Sequence, residues 1–137
     1  MAHRTIAPTD VGQGKRVLLV DDDAALVRLG VLRLSRFGYH VTGCETPEDA
    51  LRSFRDHPVD FDAVVTDLSM PGMSGLELAR EILALRPEIP VLMVSGQFRP
   101  EDVAAARQIG VRYTISKAEA FEEIPERLRE VLGAPST

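Results

Sequence analysis

Residues 16–25 read RVLLVDDDAA, an apolar run that drives straight into three consecutive aspartates. Both alternating faces of VLLV are apolar, the pattern of a strand buried between two layers of helices rather than one with a solvated side. Three adjacent carboxylates repel one another and are costly to desolvate, so a folded chain keeps them in water or around a cation. Taken alone, the triplet equally suits a solvated turn that caps a helix beginning at Ala24. The rest of the chain decides between the two.

Four more strand-like runs follow: YHVTGC at 39–44, DAVVTD at 62–67, PVLMVS at 90–95 and VRYTI at 111–115. Helical patterns alternate with them at about 24–37, 47–56, 75–85, 100–108 and 119–132. In the first, Leu26, Leu29, Leu34 and Phe37 share one broad apolar face that Gly30 and Arg33 interrupt, and Gly38 ends it. Thr46 and Pro47 have the chemistry of an N-cap and first helical position; Leu78, Ala79 and Ile82 stripe the third helix, which Pro87 closes. Five strand–helix units with right-handed crossovers make an α/β fold, a flavodoxin-like (βα)5 doubly wound parallel sheet with expected strand order 2-1-3-4-5. No internal repeat suggests a solenoid.

A chain of 137 residues suits one domain with a substantial core. Residues 1–14, with Pro8, Gly12 and Gly14 among polar neighbours, are expected to be a flexible tail or linker, residues 15–133 the domain, and 134–137 a short tail. The net charge of -5, with Arg52, Arg55, Arg127 and Arg129 interleaved among acids, argues against direct nucleic-acid binding. No apolar run is long enough to span a bilayer and MAHRTIAPTD lacks the apolar core of a signal peptide, so no membrane insertion and a cytoplasmic location are expected. The single cysteine, Cys44, forms no intrachain disulfide and reads as buried filler.

In open α/β sheets, ligands gather at the carboxyl ends of strands, near the reversal of strand order. The first strand ends at Asp21, Asp22 and Asp23, the third at Asp67 and the fourth at Ser95, while Lys117 follows the fifth. The expected order places strands one, three and four side by side, so these groups converge on one rim. Asp21, Asp22 and Asp67 offer hard oxygen ligands suited to Mg²⁺, which is commonly held by a few carboxylates together with a phosphate; Mn²⁺ is an allowed substitute. A cation, an ammonium and a hydroxyl around one carboxylate can stabilise a transferred phosphoryl group, with Asp67 as nucleophile.

Together VLLVDDD, DAVVTDLSMPGMSGLEL, PVLMVSG and a lysine seven residues after Gly110 resemble the receiver domain of two-component response regulators over about residues 15–133. The resemblance implies that Asp67 accepts phosphate from a histidine kinase or a histidine phosphotransfer protein. It also implies that Asp22 and the Ser69 backbone carbonyl bind Mg²⁺ with Asp67, that Asp21 acts through water, that Lys117 pairs with the acyl phosphate, and that Ser95 reports its arrival. Such a domain modifies itself and is not an enzyme acting on a free substrate, and it allows a weak homodimer. The segments GQGKRVLLVDDD and SGQFRPEDVAAARQIGV look most like receivers of hybrid histidine kinases, although no kinase core is visible. A Mg²⁺-dependent phosphatase with an aspartyl nucleophile is the alternative. Ser69, two residues after Asp67, is no acid, and no insertion could form a cap. A flavodoxin-like cofactor binder lacks its phosphate-cradling glycine loop after the first strand.

Several residues take plainer roles or depart from the family pattern. Asp23 caps the first helix; Met70, Met73 and Met93 pack; Pro71, Gly72 and Gly75 supply turns; His3, His40 and His57 are scattered surface histidines. The lysine of most receivers precedes proline, but here Ala118 follows Lys117, so a trans bond and a less firmly held lysine are expected. Pro125 requires the last helix either to begin late or to kink. The family's aromatic switch position, three residues before the lysine, is Thr114, and Tyr113 falls one residue earlier, on the opposite pleat face.

Overall fold

A computed structural model describes residues 13–133. Of the tail expected at 1–14, residues 1–12, with His3, lie outside the described residues, as does the tail expected at 134–137. Five strands, β1 (Arg16–Val20), β2 (His40–Cys44), β3 (Ala63–Asp67), β4 (Val91–Ser95) and β5 (Tyr113–Ser116), alternate with α1 (Ala24–Arg36), α2 (Pro47–Asp56), α3 (Gly75–Leu85), α4 (Pro100–Ile109) and α5 (Ala120–Leu132). All strand pairs are parallel, in the order β2-β1-β3-β4-β5. The continuous apolar runs occupy the middle of the sheet: every residue of β3 and β4 is buried. β2, at an edge and more polar, buries only Cys44.

Alternation along each strand divides the core in two. Val20, Val64, Val91 and Met93 face α2, α3 and α4, joining Phe54, Leu78, Ile82 and Ala106. Val17, Leu19, Val65 and Val94 face α1 and α5, joining Leu34 and Leu128. Phe54 is fully buried, stacked on Phe61 with centroids 5.9 Å apart, and burial of such a side chain is worth about 1.5–3 kcal/mol.

Local chemistry sets the helix ends. Thr46 accepts from the Asp49 amide, Ser74 and Glu77 form a reciprocal capping box, and Gly110 ends α4 in the left-handed region at φ 107. Before β1, the Gly14 amide donates to the Gly38 carbonyl at 2.9 Å.

Two expectations need correction, and two features were not anticipated. α1 buries Val27 and Leu34 rather than the whole expected face; Leu26 and Leu29 remain 40% and 51% exposed because the helix turns its Val27–Val31–Leu34 stripe to the sheet. β5 begins at Tyr113 rather than 111, since Val111 is spent closing the end of α4 by donating its amide to the Ala106 carbonyl. A 3-10 turn at Pro58–Asp60, not anticipated, leads into β3. Gly75, read as turn chemistry beside the site, is the first residue of the helix expected from 75, and its backbone is pressed against that of β3, a close approach the sequence did not indicate.

Candidate functional site

The parallel sheet brings the carboxyl ends of β1, β3 and β4 to one rim, as the strand order requires. Asp67 ends β3 and is only 5% exposed, while Asp21 and Asp22 follow β1. One carboxylate oxygen from each of Asp21, Asp22 and Asp67 lies within 4.8 Å of the others. Asp23 is separated from this group in function: its Oδ1 accepts from the amides of Ala25 and Leu26 at 3.0 and 3.2 Å and caps α1. Its own amide donates to Asp21 Oδ1 at 2.9 Å, which orients the Asp21 carboxylate.

Lys117 reaches the rim from the end of β5. Its Nζ lies 3.3 Å from Asp67 Oδ2 and 3.6 Å from Asp21 Oδ2, so one ammonium bridges two carboxylates. The peptide bond before Ala118 is trans, as is every peptide bond among the described residues. The lysine is nevertheless anchored through its backbone, whose amide donates to the Ser95 carbonyl at 2.8 Å. Ser95 is buried at the end of β4; its hydroxyl accepts from the Gln97 amide at 3.1 Å and donates to the Gln97 carbonyl at 3.0 Å. Thr114 and Ser95 share one pleat face, whereas Tyr113 packs on the other with the α1 and α5 cluster.

The electrostatics follow from burial. Desolvation pushes the Asp67 carboxyl above its ordinary range, the charge of Asp21 raises it further, and Lys117 only partly opposes this. Desolvation also raises Asp21, against the lowering effects of the Asp23 amide and Lys117. Burial pulls Lys117 downward, but the charges of Asp67 and Asp21 outweigh it and the net direction is up. Three acids served by one ammonium leave a deficit of positive charge in an all-oxygen donor set. That combination fits a hard divalent cation such as Mg²⁺.

Two features of the site carry no simple sequence signal. A Cβ on Gly75 would stand 2.1 Å from the Asp67 carbonyl oxygen and 2.9 Å from Leu68 Cα, and the Gly75 amide donates to the Leu68 carbonyl at 2.8 Å. The Thr66 hydroxyl donates to the same Asp67 carbonyl at 2.9 Å. Backbone approach thus holds the start of α3 against the buried aspartate. Of the residues read as plain packing, Met93 is in the core, and Met70 and Met73 pack at its margin. Cys44 is buried, while His40 and His57 lie on the surface.

Residues 17–129 match the family model of the response regulator receiver domain. The two-component response regulator ARR10 of Arabidopsis thaliana is 35% identical over 111 residues, covering 81% of this chain and 20% of the relative. The transcriptional regulatory protein GlrR of Escherichia coli (strain K12) is 34% identical over 123 residues, covering 88% of this chain and 27% of the relative. The chain therefore spans about a quarter or less of the length of these two relatives. A crystal structure of a CheY-like receiver domain protein from Methanospirillum hungatei JF-1 superposes with a TM-score of 0.82 at 28% identity, covering 87% of this chain and 94% of that one. No described helix is long and apolar enough to cross a membrane.

Proposed function

Because the chain belongs to the response regulator receiver domain family, we propose that Asp67 is its phosphoacceptor, taking a phosphoryl group from a phosphohistidine of a histidine kinase or phosphotransfer protein. The observation that carries this is the buried Asp67 carboxylate, grouped with Asp21 and Asp22 and bridged to Asp21 by Lys117. A carboxylate held above its ordinary range has a more basic oxygen and is the better nucleophile. In the transfer, an Asp67 oxygen forms a bond to phosphorus as the bond from phosphorus to the donor's ring nitrogen breaks. Lys117 leaves its ion pair with the carboxylate for the new acyl phosphate.

Asp22, Asp67 and the Ser69 carbonyl would hold Mg²⁺, with Asp21 acting through water. Bound there, the ion supplies positive charge opposite the transferring oxygens. Ser95 must give up its two bonds to Gln97 before its hydroxyl can meet the phosphoryl group, and this frees the loop after Gly96. Thr114, on the same pleat face, is the next residue to sense that shift. In this reading the domain acts on itself, turns over no free substrate, and works in the cytoplasm. It does not bind nucleic acid through these residues, because Arg52, Arg55 and Arg127 are engaged by Asp49, Glu81, Glu123 and Glu130.

The test is incubation with a small acyl phosphate donor with and without Mg²⁺, followed by mass measurement of the intact chain and of its peptides. One added phosphoryl group on the peptide holding Asp67, absent after chelation and absent in Asp67→Asn, is the expected result. Undiminished labelling of the Asn variant, or labelling indifferent to chelation, would overturn the assignment.

A further inference from the structure

Helices α1 and α5 cover the same face of the sheet, and between them runs a cleft of about 250 Å³. Its floor is apolar, formed by Leu19, Val65 and Val94; Leu29 and Phe121 line it from the two helices. Asp21, Asp67 and Lys117 of the aspartate rim line it too, their two carboxylates set against the Lys117 ammonium, and Arg33 supplies the other cation of its lining. Ala120 presents only a methyl to the cleft, while Gly30 lets Leu19 pack close against α1, since a Cβ there would stand 2.6 Å from Leu19 Cδ2.

Arg33 is half-buried and held in a defined place. Its Nε donates to the Phe121 carbonyl at 2.9 Å, and its guanidinium carbon lies 3.7 Å from the centroid of the Phe121 ring and 5.2 Å from that of Phe37. These contacts orient the cation without neutralising it. Among the described residues no carboxylate lies within ion-pair distance of Arg33, in contrast to Arg52, Arg55, Arg86, Arg99 and Arg127. Only Nε is engaged by a described side-chain hydrogen bond, which leaves the planar pair of terminal nitrogens for a ligand.

We propose that the α1–α5 cleft binds a small organic monocarboxylate with an aromatic or branched apolar body, its carboxylate on the Arg33 guanidinium and its body over Leu19, Leu29 and Val65. The charge argues for the anion, since a fixed guanidinium fork matches a carboxylate in two parallel hydrogen bonds. The walls argue for the apolar body. The size argues for a small molecule: an apolar cavity of about 150 Å³ accommodates benzene, so this volume holds a phenyl ring with a short chain. Such binding requires no phosphoryl transfer and is measured on the unmodified protein.

The full chain, labelled with ¹⁵N, is titrated with phenylbutyrate, phenylbutanol and phenylbutylamine while its amide spectrum is followed. Phenylbutyrate is expected to give saturable shifts at Gly30, Arg33, Phe121 and Ile124, with the alcohol about tenfold weaker and the amine weaker still. Arg33→Lys should keep the preference for the acid over the alcohol, and Arg33→Gln should lose it. Ala120→Leu should fill the cleft and abolish the shifts while leaving the amides of β2 and α2 unmoved. Absence of saturable shifts in the cleft, or equal affinity for all three compounds, overturns the proposal. So does a set of shifts centred on Asp67 and Lys117, which would make the acid a ligand of the aspartate rim. Cleft amides that move with protein concentration alone would assign the cleft to a second copy of the chain and equally overturn it.

Discussion

The Asp67 carbonyl oxygen occupies the space that a side chain at Gly75 would need. The obstructing atoms are backbone, which cannot rotate away, so Gly75→Ala should destabilise the protein by about 3 kcal/mol or more, read as a lower urea midpoint with an unchanged slope. Asp67 behaves in the opposite sense. Its carboxyl and that of Asp21 are raised above the ordinary value of 3.8, first by desolvation, so the fold favours their neutral forms. Their contribution to stability is fully present below the ordinary carboxylate range and is lost as pH rises through the raised values. Asp67→Asn, neutral at every pH, should therefore melt higher than the parent at neutral pH without metal, and the advantage should shrink in acid. Thermal melts across pH with a chelator present provide the check, and a lower melt for the variant at neutral pH would show that the Lys117 pairing outweighs desolvation. The aspartates were legible in the sequence because each ends an apolar strand and the strand order brings those ends together. Gly75 was legible only as a glycine near the site, since a close approach between two backbones depends on how α3 lies on β3.

At the scale of the helix, α5 continues through Pro125 instead of beginning late. Proline cannot donate to the carbonyl four residues earlier, and that carbonyl, on Phe121, instead accepts the hydrogen bond from Arg33 Nε. Arg33→Ala should cost about 1–3 kcal/mol through the lost hydrogen bond and ring contact. In a Pro125→Ala background the helix regains its own donor, and the same Arg33 substitution should cost about 1 kcal/mol less. Denaturant melts of the four proteins measure that coupling; no coupling would mean that the Phe121 carbonyl gains nothing from Arg33. The sequence marked Pro125 as an anomaly but could not supply the answer, because the replacement donor comes from α1. It was more informative on Tyr113, where pleat alternation alone separated the ring from the face of Ser95. The Tyr113 hydroxyl donates to Glu130 at 2.7 Å, and Arg127 lies over the ring at 4.9 Å. A phosphoryl mimic at Asp67 should accordingly leave the Tyr113 ring resonances nearly unmoved, and a large change would refute the role given to Thr114.

For the molecule as a whole, a ligand that binds only the folded state stabilises it in proportion to the logarithm of its saturation, about 2.7 kcal/mol at a hundredfold excess over its dissociation constant. Mg²⁺ should raise the melting temperature at neutral pH and much less in acid, where the carboxylates are protonated. Asp22→Ala should blunt that response while leaving the metal-free melt unchanged or higher, since Asp22 is exposed and belongs to a cluster of like charges. A normal metal response in this variant would remove Asp22 from the ligand set. The architecture was legible because five strand-like runs, those of β1, β3 and β4 apolar on both faces, alternate with helices and admit few topologies. What escaped was the angular setting of α1, which an apolar face broken by Gly30 and Arg33 left open. The order β2-β1-β3-β4-β5 places the earliest strand in the interior, and Val17 and Leu19 of that strand share a buried cluster with Leu128 of the last helix. Within this domain, then, what is made first is completed last: β1 emerges with both neighbours still unmade, and the face it shares with α1 is closed only when α5 has left the exit tunnel.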